Sequence, residues 1–147
     1  MNIKDTVKFN KSIYFIDTDG NLYIHYWNFE KKQAEYELKF ISNSATNSHQ
    51  PGKITALYAD DRNLYGLGDN GCIFKYIEGK YNCSPVNWIL DKSSEFRDSK
   101  NIFIKQMISK DLVLGSDINV YEWTWVDGRY GWQMMGKPTS YLVSSIM

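Results

Sequence analysis

Residues 68–76 read GDNGCIFKY and hold the pattern that decides the fold, a turn dipeptide, Asn-Gly, followed by residues that favour β-strands. The chain repeats this pattern in DTDGNLYIHYW, which begins at Asp17, and in a weaker form in GSDINVYEWTW, which begins at Gly115. The three stretches align without gaps, at spacings of 51 residues (17 to 68) and 47 residues (68 to 115). A period of this length predicts a repeat protein.

Each repeat predicts four antiparallel strands. A first strand (IKDTV, ITALYA or IFIKQMI) precedes a second (SIYFI, NLYGL or DLVL), and the aligned hairpin leads into the third. A two-residue loop of type I′ is expected at Asp19-Gly20 and Asn70-Gly71, whereas Asp117-Ile118 does not fit that type and is expected to turn differently. Further turns at Glu78-Gly79 and Asp127-Gly128, and a longer loop in the first repeat, lead to the fourth strands YELKF, NWIL and GWQMM.

Four antiparallel strands at this period are typical of a β-propeller blade. We therefore predict one all-β domain, 1–147, with blade-like repeats at about 3–42, 53–91 and 101–136 and a C-terminal strand at 139–146. A β-sandwich with chance likeness among its strands is the alternative. Propellers usually close with about four to eight blades, so three repeats predict completion by a homodimer or a higher homo-oligomer. Alternatively, the C-terminal strand folds back onto the first repeat.

The composition argues against two classes of partner. Lys plus Arg and Asp plus Glu both number 17, so there is no basic excess of the kind that nucleic-acid binders carry. No stretch approaches the roughly 18 apolar residues of a membrane span, and the N-terminus does not resemble a signal peptide. We expect no nucleic-acid or membrane partner and a cytoplasmic location, with a bacterium, phage or virus as the source.

Catalytic motifs are absent from the sequence. The two histidines are His25, on a predicted strand, and His49, in a polar loop, and there is no phosphate loop, HExxH, paired CxxC or nucleophile elbow. DTDGN, from Asp17, resembles part of a calcium loop but lacks the further ligands and the terminal Glu. We predict a protein that is not an enzyme and that has no cofactor and no metal site.

Aromatic side chains are the best candidates for binding. Alternate residues of the third strand share a face, and its position nearest the loop is Trp in two repeats. A large aromatic ring near a rim can stack on a sugar or anchor a protein, although packing between sheets is the alternative for each ring. The candidate ligand-binding residues are Trp27, Trp125, Trp132, Arg129, Tyr130 and His25. Trp88 and Trp123 are expected to be buried.

The third repeat, GSDINVYEWTWVDGRYGWQMMG, resembles the repeat of bacterial propeller lectins of the tachylectin-like and Photorhabdus-lectin-like type. The matching positions are Gly115, Asp117, Val120, Tyr121, Gly128, Trp132 and Gly136 in the third repeat, Asp19, Gly20, Leu22, Tyr23 and His25 in the first, and Gly68, Asn70, Gly71, Ile73, Phe74 and Trp88 in the second. The first two repeats depart from the family in lacking its paired Trp residues.

The resemblance implies a propeller first and sugar binding second. The leading hypothesis is therefore a non-catalytic, lectin-like module that binds a glycan through rim aromatics. The alternatives are a protein–protein interaction factor of a phage, virus or bacterium that acts on a host, and a structural protein that assembles only with itself.

Overall fold

The protein is all-β over the part of the chain that the structure describes, as the sequence predicts. The computed structural model describes residues 2–28, 35–42, 53–77, 88–97 and 101–136, with the backbone alone for 27, 28 and 35–42. The strands are β1 (Ile3–Phe9), β2 (Ser12–Asp17), β3 (Leu22–Asn28), β4 (Glu35–Ser42), β5 (Ile54–Ala59), β6 (Leu64–Gly68), β7 (Ile73–Tyr76), β8 (Trp88–Lys92), β9 (Ile104–Ser109), β10 (Leu112–Gly115), β11 (Val120–Val126) and β12 (Arg129–Gly136). Within these ranges no helix is long and apolar enough to cross a membrane.

The strands form three antiparallel sheets with the orders β1-β2-β3-β4, β5-β6-β7-β8 and β12-β11-β10-β9. Strands that are neighbours in the chain are therefore neighbours in each sheet. The chain divides into two compact units, Met1–Lys92 with the first two sheets and Ser93–Met147 with the third. The strand predicted at 139–146 and the turn predicted at Glu78-Gly79 lie outside the described residues.

The three sheets share two register shifts as well as their strand order, and the third sheet has one more, between Leu112 and Val113. Pairing of the first two strands shifts register near the aligned turn, and pairing of the last two strands shifts just after it. The first shift lies at Ile3/Asp5, Ile54/Ala56 and Leu114/Gly115, and the second at Leu22/Tyr23, Ile73/Phe74 and Val120/Tyr121. Because β-bulges are specific features of a fold, equivalent bulges in three sheets identify the sequence repeats as structural repeats.

The aligned turns differ from the predicted type. Gly20 N–H donates to the carbonyl of Asp17 (3.0 Å), and Asp17 N–H donates to that of Asn21 (3.0 Å), which encloses a loop of three residues. Equivalent bonds close the turn at Gly68, and in each turn only the glycine, Gly20 (φ 84°) or Gly71 (φ 83°), is left-handed. The type I′ prediction is therefore wrong, because that turn needs positive φ at two residues, and a type I turn with a left-handed third residue fits instead.

The third turn, which the sequence predicts to differ, has the same backbone. Gly115 N–H donates to the carbonyl of Asn119 (2.9 Å), Ile118 N–H donates to that of Gly115 (3.0 Å), and Ile118 has φ 67°. A β-branched residue is unfavourable in this region, so the fold imposes the turn against the preference of the residue. A two-residue loop with positive φ at both positions occurs at Asp127-Gly128, where a turn was predicted.

The core of the first unit lies between its two sheets. Its buried members are Phe9, Tyr14, Ile16, Leu22, Ile54, Leu57, Leu64, Cys72, Phe74 and Trp88, and Val7, Ile24, Ala59 and Tyr76 pack at its margin. Asp5 joins the sheets directly, because its Oδ2 accepts a hydrogen bond from Leu57 N–H (2.8 Å). One face of the first sheet therefore packs on one face of the second.

The second unit has its own aromatic core. The ring of Phe96 lies 4.8 Å from Tyr121, edge to face, and 6.2 Å from Trp132. Val113 and Met107 are buried with them. Trp132 Nε1 donates to the carbonyl of Ser93 (3.0 Å), which satisfies the only polar atom of this buried side chain.

Candidate ligand-binding site

The β11–β12 hairpin extends beyond the rest of its sheet. The two strands pair from Val120 to the turn at Asp127-Gly128, whereas β10 pairs only with 120–122 of β11. Beyond that point Trp123 N–H donates to the carbonyl of Asp111 (2.9 Å). Residues 123–132, the hairpin tip, therefore project past the end of β10.

One face of the hairpin tip is lined with aromatic rings. Trp123 pairs with Trp132 and Trp125 pairs with Tyr130, and paired residues in a two-stranded ribbon share a face. Trp125 and Tyr130 meet edge to face at 4.9 Å, and Tyr130 lies parallel to Trp123, with 5.9 Å between centroids and 2° between planes. Four aromatic side chains thus form a continuous row.

The row becomes more exposed toward the turn. Trp132 is fully buried and Trp123 is partly buried, but Tyr130 is 52% and Trp125 is 60% exposed. Exposed rings of this size offer a large contact area at a small cost in side-chain entropy. The outer end of the row, Trp125 with Tyr130, is the candidate ligand-binding site.

Arg97 fixes the main chain of the hairpin tip. Its Nη2 donates to the carbonyls of Thr124 (2.7 Å) and Arg129 (2.6 Å), and its Nη1 donates to that of Val126 (3.2 Å). The planar guanidinium therefore holds both strands on either side of the turn. This restraint presents Trp125 and Tyr130 on a preorganised backbone, which lowers the ordering cost of binding.

Two further features hold Arg97 in place. Its N–H donates to the carbonyl of Trp132 (2.9 Å), and Trp132 N–H donates to that of Glu95 (2.9 Å), so this segment runs beside β12. A Cβ on Gly131 would lie 3.3 Å from Arg97 Cγ and 3.4 Å from its Cζ. Glycine at 131 therefore lets the arginine side chain cross the strand.

The predicted site residues of the third repeat separate into two groups. Trp125 and Tyr130 lie together at the hairpin tip, with Arg129 beside them in the chain. Arg129 Nη1 forms a 2.7 Å ion pair with Glu95 Oε1, and both side chains are largely exposed, so this pair adds little stability. Trp132, in contrast, offers no surface to a ligand because it is buried in the core.

The predicted site residues of the first repeat lie in the other unit. The His25 ring is partly buried and lies 6.4 Å from Phe15, nearly perpendicular to it. Trp27 lies on β3 and pairs with Tyr36, but its side chain is outside the described residues. As expected from the sequence, Trp88 is fully buried, whereas Trp123 is only partly so.

Sequence reasoning missed the parts that support the site. Arg97 contacts carbonyls 27 to 32 residues away, and no local pattern announces a contact of that kind. Gly131 was the available signal, because a glycine between Tyr130 and Trp132 within a strand often marks a close approach of another chain segment.

Two of the aligned turns contain a separate polar cluster. Asp17 accepts hydrogen bonds from Asp19 N–H (2.9 Å), Asn21 N–H (2.9 Å), Asn21 Nδ2 (3.3 Å) and Tyr23 OH (3.2 Å). Burial acts to raise the pKa of Asp17, but the hydrogen bonds from Asn21, Tyr23 and Asp19 outweigh it and hold that pKa below its usual value. Burial and the bond to Asp17 raise the pKa of Tyr23.

The third repeat builds the same cluster from a different position. Asp117 accepts from Asn119 N–H (3.2 Å), Asn119 Nδ2 (2.9 Å) and Tyr121 OH (2.5 Å). Its pKa is also lowered, because these bonds outweigh the effect of burial. Among the described residues no group of three His, Cys, Asp or Glu side chains is arranged to hold a metal ion.

No family model, curated protein or solved structure matches the chain.

Proposed function

We propose that the protein is a non-catalytic binding module that binds a carbohydrate through the exposed side chains of Trp125 and Tyr130. The observation that carries this proposal is that both rings are more than half exposed while their backbone is held by three hydrogen bonds from Arg97. An exposed aromatic face can stack on the apolar face of a sugar ring, whereas Arg129 pairs with Val126 and lies on the opposite face of the hairpin.

The proposed architecture is a β-propeller in which the three repeats are blades and a second chain completes the ring. The equivalent bulges and the common turn of the three sheets support it, because propeller blades are repeated four-stranded antiparallel sheets.

The experiment is a glycan array with the wild-type protein and the variant Trp125→Ala. We expect glycan binding by the wild type and a loss of at least about tenfold in affinity for the variant, because a hot-spot aromatic typically contributes about 2 kcal/mol or more. Phe103→Ala is the matched control, since Phe103 is 62% exposed and lies outside the hairpin tip. Binding that survives Trp125→Ala, or that Phe103→Ala removes equally, would contradict the proposed site.

A protein ligand is the second candidate. The same hairpin also exposes Val126 on its opposite face and Met134 and Met135 farther along β12, so its exposed apolar residues are not confined to the two rings. If the array shows no glycan, a protein that binds the wild type and not Trp125→Ala would favour this alternative. A protein interface should also be weakened by Met134→Asp, whereas a sugar stacked on Trp125 should be little affected.

A further inference from the structure

Each repeat has two faces, which are named here by residues of its second and third strands. Face A of a repeat is defined here by the second-strand positions Tyr14 and Ile16 of the first repeat and their counterparts. Face B is defined by Ile13 and Phe15 on the second strand and Tyr23 on the third, again with their counterparts. Successive residues of a strand point to opposite sides, so the two faces are opposite sides of one sheet.

Within the first unit, face A of the first repeat packs on face B of the second. The core cluster contains Tyr14 and Ile16 from face A and Leu64 and Phe74 from face B. Asp5, on the side of face A, adds its hydrogen bond to Leu57 N–H. A repeat therefore has two complementary faces, and the contact joins unlike faces.

Face B is less buried in the first repeat than in the other two. Ile13 is 42% exposed, whereas its counterpart Leu64 is fully buried. Tyr23 is partly exposed, whereas its counterparts Phe74 and Tyr121 are buried. The first repeat thus presents a face B that is less covered than its counterparts, and it carries Phe15 where the second repeat has the buried Gly66.

In the third repeat, face A is less buried than it is in the other two repeats. Leu112 and Leu114 are partly exposed there. Their counterparts are buried in both other repeats, namely Tyr14 and Ile16 in the first and Tyr65 and Leu67 in the second. The third-strand position of face A (Leu22, Ile73 and Val120) is buried in all three repeats, so the difference lies on the second strand.

The charges at the margins of these two faces are complementary. Ile24 on face A of the first repeat and Ala59 on face B of the second pack at the margin of the core cluster. By register and alignment, the counterpart of Ile24 in the third repeat is Glu122, and the counterpart of Ala59 in the first repeat is the exposed Lys8. Two apolar positions at the margin of the packed contact thus correspond to an acid and a base on the less buried faces.

We propose that face A of the third repeat binds face B of the first repeat in a second copy of this chain. Because the contact joins unlike surfaces, it can add one copy after another. The assembly closes as a dimer when face A of the third repeat of the second copy binds face B of the first repeat of the first copy. This contact joins the same two faces as the contact of the first repeat with the second, with Leu112 and Leu114 against Ile13 and Phe15, and with Glu122 near Lys8. This inference does not depend on a carbohydrate ligand, so its test and the glycan test fail independently.

The test is the solution mass of the full chain, measured by light scattering on a size-exclusion column. We expect twice the 17.2 kDa of one chain for the wild type. Ile13→Asp should give the mass of one chain, because it places a charge in the apolar centre of the contact. Leu90→Asp is the matched control: Leu90 is similarly exposed (41%) but belongs to the second repeat, which supplies neither face, so its mass should stay at two chains.

Charge reversal tests the pairing directly and does not require a core substitution. Lys8→Glu and Glu122→Lys should each raise the dissociation constant about tenfold or more, because each places like charges together. The double variant should restore the wild-type value, and Arg62→Glu, in an exposed loop of the second repeat, should leave it unchanged. A monomeric wild type would overturn the proposal. An oligomer that is insensitive to Ile13→Asp, or reversals that show no mutual rescue, would also overturn it.

Discussion

The turns of the first and third repeats have the same backbone but are stabilised by different residues. In the first repeat the carboxylate comes from Asp17, the residue that begins the turn, and the left-handed position is Gly20. In the third repeat the carboxylate comes from Asp117, two residues later, and the left-handed position is Ile118. In both, the carboxylate binds the Asn and the Tyr that follow. The fold therefore conserves an arrangement of groups in space rather than a residue at an aligned position.

The aligned glycines explain why the carboxylate changes position. A Cβ at Gly115 would lie 2.8 Å from Asp117 Oδ1, and a Cβ at Gly68 would lie 2.7 Å from Asn70 Oδ1. A side chain at the first turn position and an inward Asx side chain two residues later therefore exclude each other. The first repeat uses the first option, and the other two repeats use the second.

The largest effect should come from removing the carboxylate of the first turn. Asp17→Ala should lower the free energy of unfolding by about 3 kcal/mol, because it leaves several buried or partly buried donors without their charged acceptor. The measurement is urea denaturation. Asp19→Ala is the control in the same turn, because Asp19 contributes its main-chain N–H, which alanine retains. The comparison between turns predicts a smaller loss for Asp117→Ala, since Asp117 is exposed. Equal losses of stability in the two variants would show that the burial of the carboxylate does not determine the size of the loss.

The next effect tests the space around Gly115 in the third turn. Gly115→Ala should lower the free energy of unfolding by about 2 kcal/mol, since the new methyl group would also lie 2.8 Å from Tyr121 Cε1. A double-mutant cycle with Tyr121→Leu is the measurement, and Gly115→Ala should cost less in that background because part of the overlap has gone. Additive costs would show that the methyl group does not meet the ring.

Much of the strand architecture could be predicted from the sequence, because strands and hairpins depend on local residue patterns. ITALYA is predicted to be a strand and forms β5 (Ile54–Ala59), because alternation and turn residues act over a few positions. Asp-Gly and Asn-Gly dipeptides located the hairpins, but not the turn type, because glycine supplies positive φ in two-residue and three-residue loops alike. The burial of Trp132 and the contacts of Arg97 depend on residues 27 to 39 positions away in the chain, and no local pattern indicates these contacts.

Acid should weaken both turns. The folded pKa values of Asp17 and Asp117 are lowered, so the stability that each carboxylate contributes is fully present above its unfolded pKa, near 3.8, and is lost as the pH falls through the folded value. Thermal unfolding should therefore occur at a lower temperature at about pH 3 than at about pH 6. The variant Asp17→Asn with Asp117→Asn should show a shallower dependence below pH 4. An unchanged slope would assign the acid sensitivity to other carboxylates.

The smallest expected effect is a gain in stability, at the position where the two turns differ most. Ile118 is exposed and left-handed, and the equivalent Gly20 shows that glycine fits this backbone. Ile118→Gly should therefore raise the free energy of unfolding by about 1 kcal/mol, since the relief of backbone strain exceeds the entropy that glycine adds to the unfolded chain. Chemical denaturation of the Gly, Asn and Ala variants at position 118 separates backbone strain from the effect of the exposed apolar side chain. Asn tolerates the left-handed region and should recover part of the gain, whereas Ala retains the Cβ and should recover little. If Ala stabilised the protein as much as Gly, the exposed apolar side chain rather than the backbone would be the cause.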